Sequence, residues 1–368
     1  MYKLIQIGIF LLLPIFLVGQ ISNCSTVPKD YAKAKQYMKK LKLSAQQMQQ
    51  RNAAPSFVIR IQFWRISNDA GTFGPSDQEI NDQLDIVRDD FAAADICFAL
   101  VGIRYINDDD LLLSPSDANS QTVATDLYDD FGSEDRLDVF VFPDEYGDIP
   151  GNAFAIPNDY LVCSEGRWFG SKNLSHEIGH CVGLLHTHQG DGSACPSSNR
   201  ERIDGSNCNS SGDLLCDTNA DPRLDRPGAF SSATCTFLGT TWQDCNGDSP
   251  YEPPFNNYMS YGWSCRNQFS PQQISIMRAE CSGGDKGENY SQQVDHRSVG
   301  PEDYSWGIRY SVANLSVTSQ GDFKTYGSAQ TRHFVSDQGH VELKPGFHAY
   351  PTGNKGKYIA KASDFCGN

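Results

Sequence analysis

The chain has 368 residues, 39% of them hydrophobic, which is enough for real cores and for two ordinary domains with a leader or tail. Lys and Arg total 30 against 45 Asp and Glu, a formal charge of -15, so repulsion argues against a nucleic-acid or anionic-membrane binder and favours cations or basic partners. Twelve cysteines with no CxxC pair argue against a zinc ribbon or a reduced cytosolic enzyme and for disulfides in an oxidising compartment.

In chain order, Lys3 and the apolar run Leu4 to Val18 read as a signal peptide over residues 1–22, with cleavage near Gly19 or Ser22. The run contains Pro14 and falls short of the ~20 residues a spanning helix needs, so no transmembrane anchor is expected. Residues 23–55 are rich in Lys, Gln and Ala, with a helical tendency from Tyr31 to Gln50, and read as a pro-segment or surface helix. Phe57 to Ile66 alternates apolar with polar, which predicts a half-buried strand. Ser76 and Glu79 form a capping box, and Ile80, Leu84, Val87 and Phe91 then fall on one helix face. Ile96 to Ile106 and Leu137 to Phe142 are further strands, so a helix packed on a mixed sheet is expected, an α/β (α+β) fold.

A second helix is predicted around 172–183. A third has Ser270 as N-cap, Pro271 at its first position, Gln273 three residues on, and Ile274, Met277 and Cys281 on one face. The polar stretch between them cannot bury much of its own, so disulfides or bound cations are expected to hold it. Residues 282–289 read as a linker by composition. Alternation at Ile308, Tyr310, Val312 and at Val341, Leu343 then predicts a small all-β domain over 290–368, without a strict repeat.

Four of the eight histidines lie between 176 and 188. His176 and His180 are i and i+4 on a helix, so both imidazoles reach one zinc ion, and Glu177 beside them reaches a metal-activated water. Gly183 can take the left-handed conformation that ends a helix and turn the chain so that His186 returns as third ligand. Three protein ligands leave an open position, as catalytic rather than structural zinc sites do. Glu177 then serves as general base toward the water and as general acid toward the leaving amine. A bare HExxH would be weak; His176 to His186 completes the far more specific HExxHxxGxxH.

That extended motif resembles the metzincin metallopeptidases, and Asn257-Tyr258-Met259-Ser260-Tyr261 fits their methionine turn. With GDLLCDTNAD (212–221) and NYMSYGWSCRNQFSPQQISIMR (257–278), the likeness sharpens to the pappalysin-like, ulilysin-like branch, over about residues 57–281. The resemblance implies a catalytic domain over 56–282 with a twisted mixed sheet, an irregular lower part and a cleft between them for a polypeptide substrate. It implies that Met259 floors the zinc site and that Tyr261 stabilises the oxyanion. Within the edge segment Gly151 to Ala155, Asn152, Ala153 and Phe154 would pair with the substrate. Calcium is expected at Asp213, Asp217 and Thr218, although Asn219 stands where the family carries proline. His188 is not a family ligand and is expected beside the zinc site rather than on the metal.

Cys195, Cys208, Cys216, Cys235, Cys245, Cys265 and Cys281 are expected to staple the lower half. Seven is odd, so one pairs elsewhere or stays free, and the pairing is open. Cys24 has three readings: an ordinary disulfide partner, a latency cysteine on the zinc with activation by cleavage near Arg51, or a lipidated cysteine. The tail, with Gly339 to Ala349 at its centre, resembles small β domains of secreted Bacteroidetes-type proteins. The expectation is a secreted zinc endopeptidase acting on peptides or proteins, free or at a cell surface. The alternative is an inactive zinc-containing adhesin or binding module, against which the retained Glu177 speaks. Gly262 to Arg266 could line the specificity pocket in more than one way.

Overall fold

In the computed structural model a helix over Tyr31–Gln49 (α1) precedes the central strand Phe57–Ser67 (β1), which is followed by Asp77–Phe91 (α2) and Ile96–Asn107 (β2). Asp109–Leu113 (α3) and Ser120–Phe131 (α4) then lead to Leu137–Phe142 (β3) and Tyr160–Ser164 (β4). A short Glu165–Trp168 (α5) precedes Asn173–Cys181 (α6), and Phe230–Ser231 (β5) and Thr236–Phe237 (β6) form a small hairpin. Pro271–Gly283 (α7) and Gly287–Tyr290 (α8) complete this part of the chain. The structure describes Thr26, residues 30–49, 57–113, 120–144, 151–191, 195 and 198–291, and beyond these the backbone of strands between 296 and 362. Cys24 and the leader therefore lie outside the described residues.

The strand order β2-β1-β3-β4 is parallel throughout, β1 lying in register with β2 on one side and β3 on the other. Here the half-buried expectation for β1 fails, because ten of its eleven residues are buried. A central parallel strand is covered on both faces, so even its polar positions, Arg60 and Gln62, are enclosed. Phe57, Ile59, Ile61 and Phe63 face the main core with α2, α6 and α7, while Trp64 and Ile66 join Leu112, Ala124 and Leu127 from α3 and α4 on the other side. The helix faces read from periodicity hold: Ile80, Leu84, Val87 and Phe91 are fully buried, and both capping boxes, Ser76 with Glu79 and Ser270 with Gln273, are formed.

Two segments differ from expectation. α1 is no surface helix, since Met38, Leu41 and Ala45 enter the main core and Tyr37 Oη bonds Glu280 Oε2 of α7 at 2.5 Å. The presumed linker continues α7 to Gly283 and then forms α8, whose Tyr290 is fully buried and donates to Cys181 O at 2.9 Å. A hydrophilic composition hides one aromatic that anchors the segment.

The final strands are His296–Val299 (β7), Glu302–Tyr304 (β8), Ile308–Ala313 (β9), Ser316–Ser319 (β10), Asp322–Tyr326 (β11), Thr331–Ser336 (β12), His340–Leu343 (β13), His348–Thr352 (β14) and Lys357–Ala362 (β15). They stack in parallel as β7-β10-β13, β8-β11-β14 and β9-β12-β15, the three faces of a small parallel solenoid whose rungs are β7 to β9, β10 to β12 and β13 to β15. Rung lengths are unequal, which is why no strict repeat is visible in the sequence. β9 pairs antiparallel with β2 at Gly102 and Ile103, so one face of the solenoid continues the central sheet to seven strands. Among the described residues no helix is long and apolar enough to cross a membrane.

Candidate active site

α6 places His176 and His180 one turn apart on one face, and Gly183, at φ 93°, reverses the chain so that Leu184 N bonds Gly179 O at 2.9 Å. The reversal carries His186 back: its Nε2 lies 3.1 Å from His180 Nε2, and the ligand atoms of all three histidines lie within 4.8 Å of one another. His176 Nδ1 is 2.7 Å from Tyr258 O and His180 Nδ1 is 2.7 Å from Leu184 O. A carbonyl accepts only from N–H, so in both rings Nδ1 carries the proton and Nε2 turns a lone pair inward. His176 Nε2 is buried with no hydrogen-bond partner. Burial holds His180 down at about 4 and His176 and His186 well below the usual imidazole value, the neutral state that ligation requires. The three rings thus fit a zinc ion, and they are the one such convergent group among the described residues.

Glu177 is fully buried, and its Oε2 accepts from Ala153 N at 3.0 Å. Asn152 pairs antiparallel with Val162 of β4 through two 3.1 Å bonds, which turns the Ala153 N–H away from the sheet and toward the glutamate. Phe154, at φ 57°, turns away and packs on the second core cluster. Of the expected substrate residues, Asn152 and Ala153 reach the site and the Phe154 side chain does not.

Beneath the histidines, Met259 is fully buried and its N–H bonds Asn257 Oδ1 at 2.8 Å. A Cβ on Gly179 would stand 2.5 Å from the Met259 sulfur, so glycine is required where helix and turn meet. The Tyr261 ring lies 6.0 Å from that of His176 and 5.2 Å from that of His186. His188 stands where expected, beside the group: it stacks on His186 at 4.6 Å and contacts Tyr261 at 4.3 Å. Burial, and then Arg223, pushes it down to about 3.

The acidic loop is arranged differently from the expectation. Asp213 is buried and accepts from Leu215 N at 3.0 Å and Thr218 Oγ1 at 2.8 Å. Asp217 instead accepts from Ser270 Oγ at 2.8 Å and Gln272 N at 2.7 Å, stabilising the start of α7. The residue that joins Asp213 is one the sequence did not single out, Glu201: it is buried against Gly212, its Oε2 has no hydrogen-bond partner, and burial with Asp213 and Asp221 raises it to about 9. Thr26 and Asp221 were missed too. Thr26 Oγ1 lies 3.1 Å from Asn152 Oδ1 and 3.2 Å from Glu177 Oε2, a contact across more than a hundred residues that no local spacing encodes. The lower half is stapled by Cys195–Cys245, Cys208–Cys216 and Cys235–Cys265, and Cys281 is the odd thiol, buried and free.

Three histidines on a helix-and-turn, a buried glutamate and a methionine floor under a mixed sheet define a zinc-dependent metalloendopeptidase of the metzincin type. Residues 132–282 match the family model Peptidase_M43, described as pregnancy-associated plasma protein-A, and over that stretch the chain is similar to this pappalysin-like family. An extracellular metalloprotease of Colletotrichum graminicola is 29% identical over 219 residues, 55% of this chain and 67% of that protein. Pappalysin-1 of Homo sapiens is 32% identical over 105 residues, 28% of this chain and 6% of that one. A solved structure of a Tannerella forsythia promirolysin mutant shares the fold, with a TM-score of 0.50 at 18% identity, covering 71% of this chain and 91% of that one.

Proposed function

We propose that the chain is a secreted endopeptidase that cleaves extended peptides or proteins, with Glu177 as general base and Tyr261 as oxyanion donor. Bound by His176, His180 and His186, zinc supplies Lewis acidity toward a water and the scissile carbonyl. The observation that carries the reading is Glu177, ionisable and fully buried, with Oε2 held at 3.0 Å from the Ala153 amide on the rim of the histidine group. From there it takes a proton from water and returns it to the leaving amine. Tyr261 donates its hydroxyl to the oxygen on which charge develops. Backbone groups of Asn152 and Ala153 pair with the substrate as an added strand. Secretion follows from the leader and accords with the extracellular names of the fungal relatives.

Residues 23–55 act as a latency segment on this reading. Supporting it, Thr26 lies between Asn152, Ala153 and Glu177, where substrate backbone would run, and α1 is seated on α7 and on Gly212 O through Tyr31 Oη at 2.5 Å. Calcium is proposed at Asp213 and Thr218 with Glu201 as an added ligand and Asp217 set aside for α7. Its support is the unpartnered, buried Glu201 Oε2 beside the Asp213 carboxylate.

The test is metal analysis with cleavage of a mixed peptide library by the wild type and by Glu177→Ala, each after removal of the latency segment. Loss of a general base lowers kcat roughly 10²–10⁴-fold. Stoichiometric zinc without cleavage by either protein refutes the peptidase reading.

A further inference from the structure

Asp221 belongs to no motif that named the zinc site, yet it joins the two segments on which that site depends. Its carboxylate is buried, with 5% exposure. Oδ2 accepts from Thr187 Oγ1 at 2.6 Å and from Ser260 Oγ at 3.0 Å, and Oδ1 accepts from Arg223 N at 2.8 Å. Thr187 directly follows the ligand His186, and Ser260 sits between Met259 and Tyr261. One oxygen therefore draws the third ligand's loop and the methionine turn together. A single backbone bond, Thr187 N to Met259 O at 3.2 Å, runs beside it.

The third bond has its own consequence. Arg223 adopts φ 68°, a left-handed conformation that a non-glycine residue holds only where its surroundings enforce it. The bond to Asp221 contributes to that enforcement. With the chain so turned, the guanidinium pairs with both oxygens of Asp225, at 2.8 and 3.0 Å, and stands 5.9 Å from the centre of the Tyr261 ring. The two oxygens of Asp221 offer acceptor sites enough for a backbone N–H and two hydroxyl donors at once, and an ionised carboxylate makes such bonds strongest.

We infer that Asp221 is a positioning residue of the active site, a strut that holds the His186 loop and the Tyr261 turn in one register and seats Arg223 against the tyrosine ring. The part concerning Tyr261 rests on the peptidase reading above, whereas the part concerning His186 rests on the histidine geometry alone. The predicted signature is on turnover and metal retention rather than substrate binding, because Asp221 lies beneath the ligand loop and touches neither the histidines nor the Asn152–Ala153 rim.

The experiment compares Asp221→Ala with the wild type in the full chain after zinc loading. Release of zinc to a chromogenic chelator is followed without substrate, and kcat and KM are measured separately with peptide. Loss of a group that supports metal ligands changes affinity or activity by roughly 10–100-fold. Faster zinc release, or lower kcat with KM within about twofold, in that roughly 10–100-fold range supports the strut. Wild-type zinc release together with wild-type kcat overturns it, even if the Tm falls, since a purely structural carboxylate would lower only the Tm. If the wild type cleaves nothing, the peptidase reading has failed and zinc release alone decides this one. Should Asp221→Ala not fold, Thr187→Val and Ser260→Ala each remove one donor. Their effects on zinc release should couple in the double variant, because both act through one oxygen, and strict additivity would overturn the inference.

Discussion

Residues 57–181 and residues 195–270 flank the same zinc site and are built by different forces. The first region is a parallel sheet between helices, with Ile59, Ile61, Phe63, Ile80, Leu84 and Phe91 at zero exposure. In the second, regular structure among the described residues is confined to a hairpin of two-residue strands and one short turn of helix; Leu214, Leu215, Met259 and Phe269 reach into the main core, and three disulfides and buried carboxylates hold the rest. Asp213, for example, accepts from Leu215 N at 3.0 Å and Thr218 Oγ1 at 2.8 Å, and Asp244 accepts from Ile203 N, Asn246 N and Asp248 N at 2.8–3.0 Å. Apolar burial needs periodicity along the chain, and polar stapling does not. One side of the site is therefore rigid by packing and the other by particular bonds that single substitutions or solvent conditions can remove.

That contrast can be broken from either side. Phe63→Ala should cost about 3–5 kcal/mol in urea unfolding, because a fully buried aromatic leaves a cavity in a sheet covered on both faces. Leu238→Ala in the lower region, where the side chain is 52% exposed, should stay within about 0.5 kcal/mol. Reduction of the three disulfides should cost about 2–4 kcal/mol for each bridge, with amide exchange accelerating in 195–270 while β1 and β3 stay protected. Equal acceleration in both regions would mean that they unfold as one unit.

At the seam between the regions, Gly179→Ala should cost about 1–3 kcal/mol and hasten zinc loss, since the new methyl must displace the Met259 sulfur. A smaller effect tests the carboxylates. Burial raises Asp213 to about 7, Asp221 to about 6 and Glu201 to about 9 in the folded state, against roughly 4 when unfolded. The folded protein thus binds more protons than the unfolded one between about pH 4 and 9, so without calcium the Tm should fall as pH rises through that window. Calcium should flatten the fall, and Asp213→Asn should flatten part of it in a chelator; a slope unaffected by calcium would refute the proposed site. Smallest, Ser270→Ala should cost about 1 kcal/mol by uncapping α7, read from the urea midpoint.

Legibility in the sequence follows the same divide. The two capping boxes, the α2 face and the turn at Gly183 were readable because each depends on residues within a few positions of one another. β1 was read as half buried because alternation reports side-chain type, whereas its two flanking strands decide what encloses it. The hydrophilic run 282–289 read as a linker, and only the packing of Tyr290 shows it anchored.

By itself the sequence determined the metal-site residues: the i, i+4 pair His176 and His180, the glutamate between them and the third histidine beyond a helix-ending glycine are local, and the helix with the turn that ends it is enough to converge them. It likewise determined an acidic chain with an excess of cysteines, though not how that excess is spent. Tertiary structure alone decided which cysteines pair, that Asp217 stabilises α7 while Glu201 stands beside Asp213, that Thr26 lies against Glu177, and that Asp221 ties Thr187 to Ser260. The reason is range. A helix brings its partners together through its own period, whereas a disulfide, a buried carboxylate or a docked segment joins residues whose separation along the chain carries no trace of their meeting.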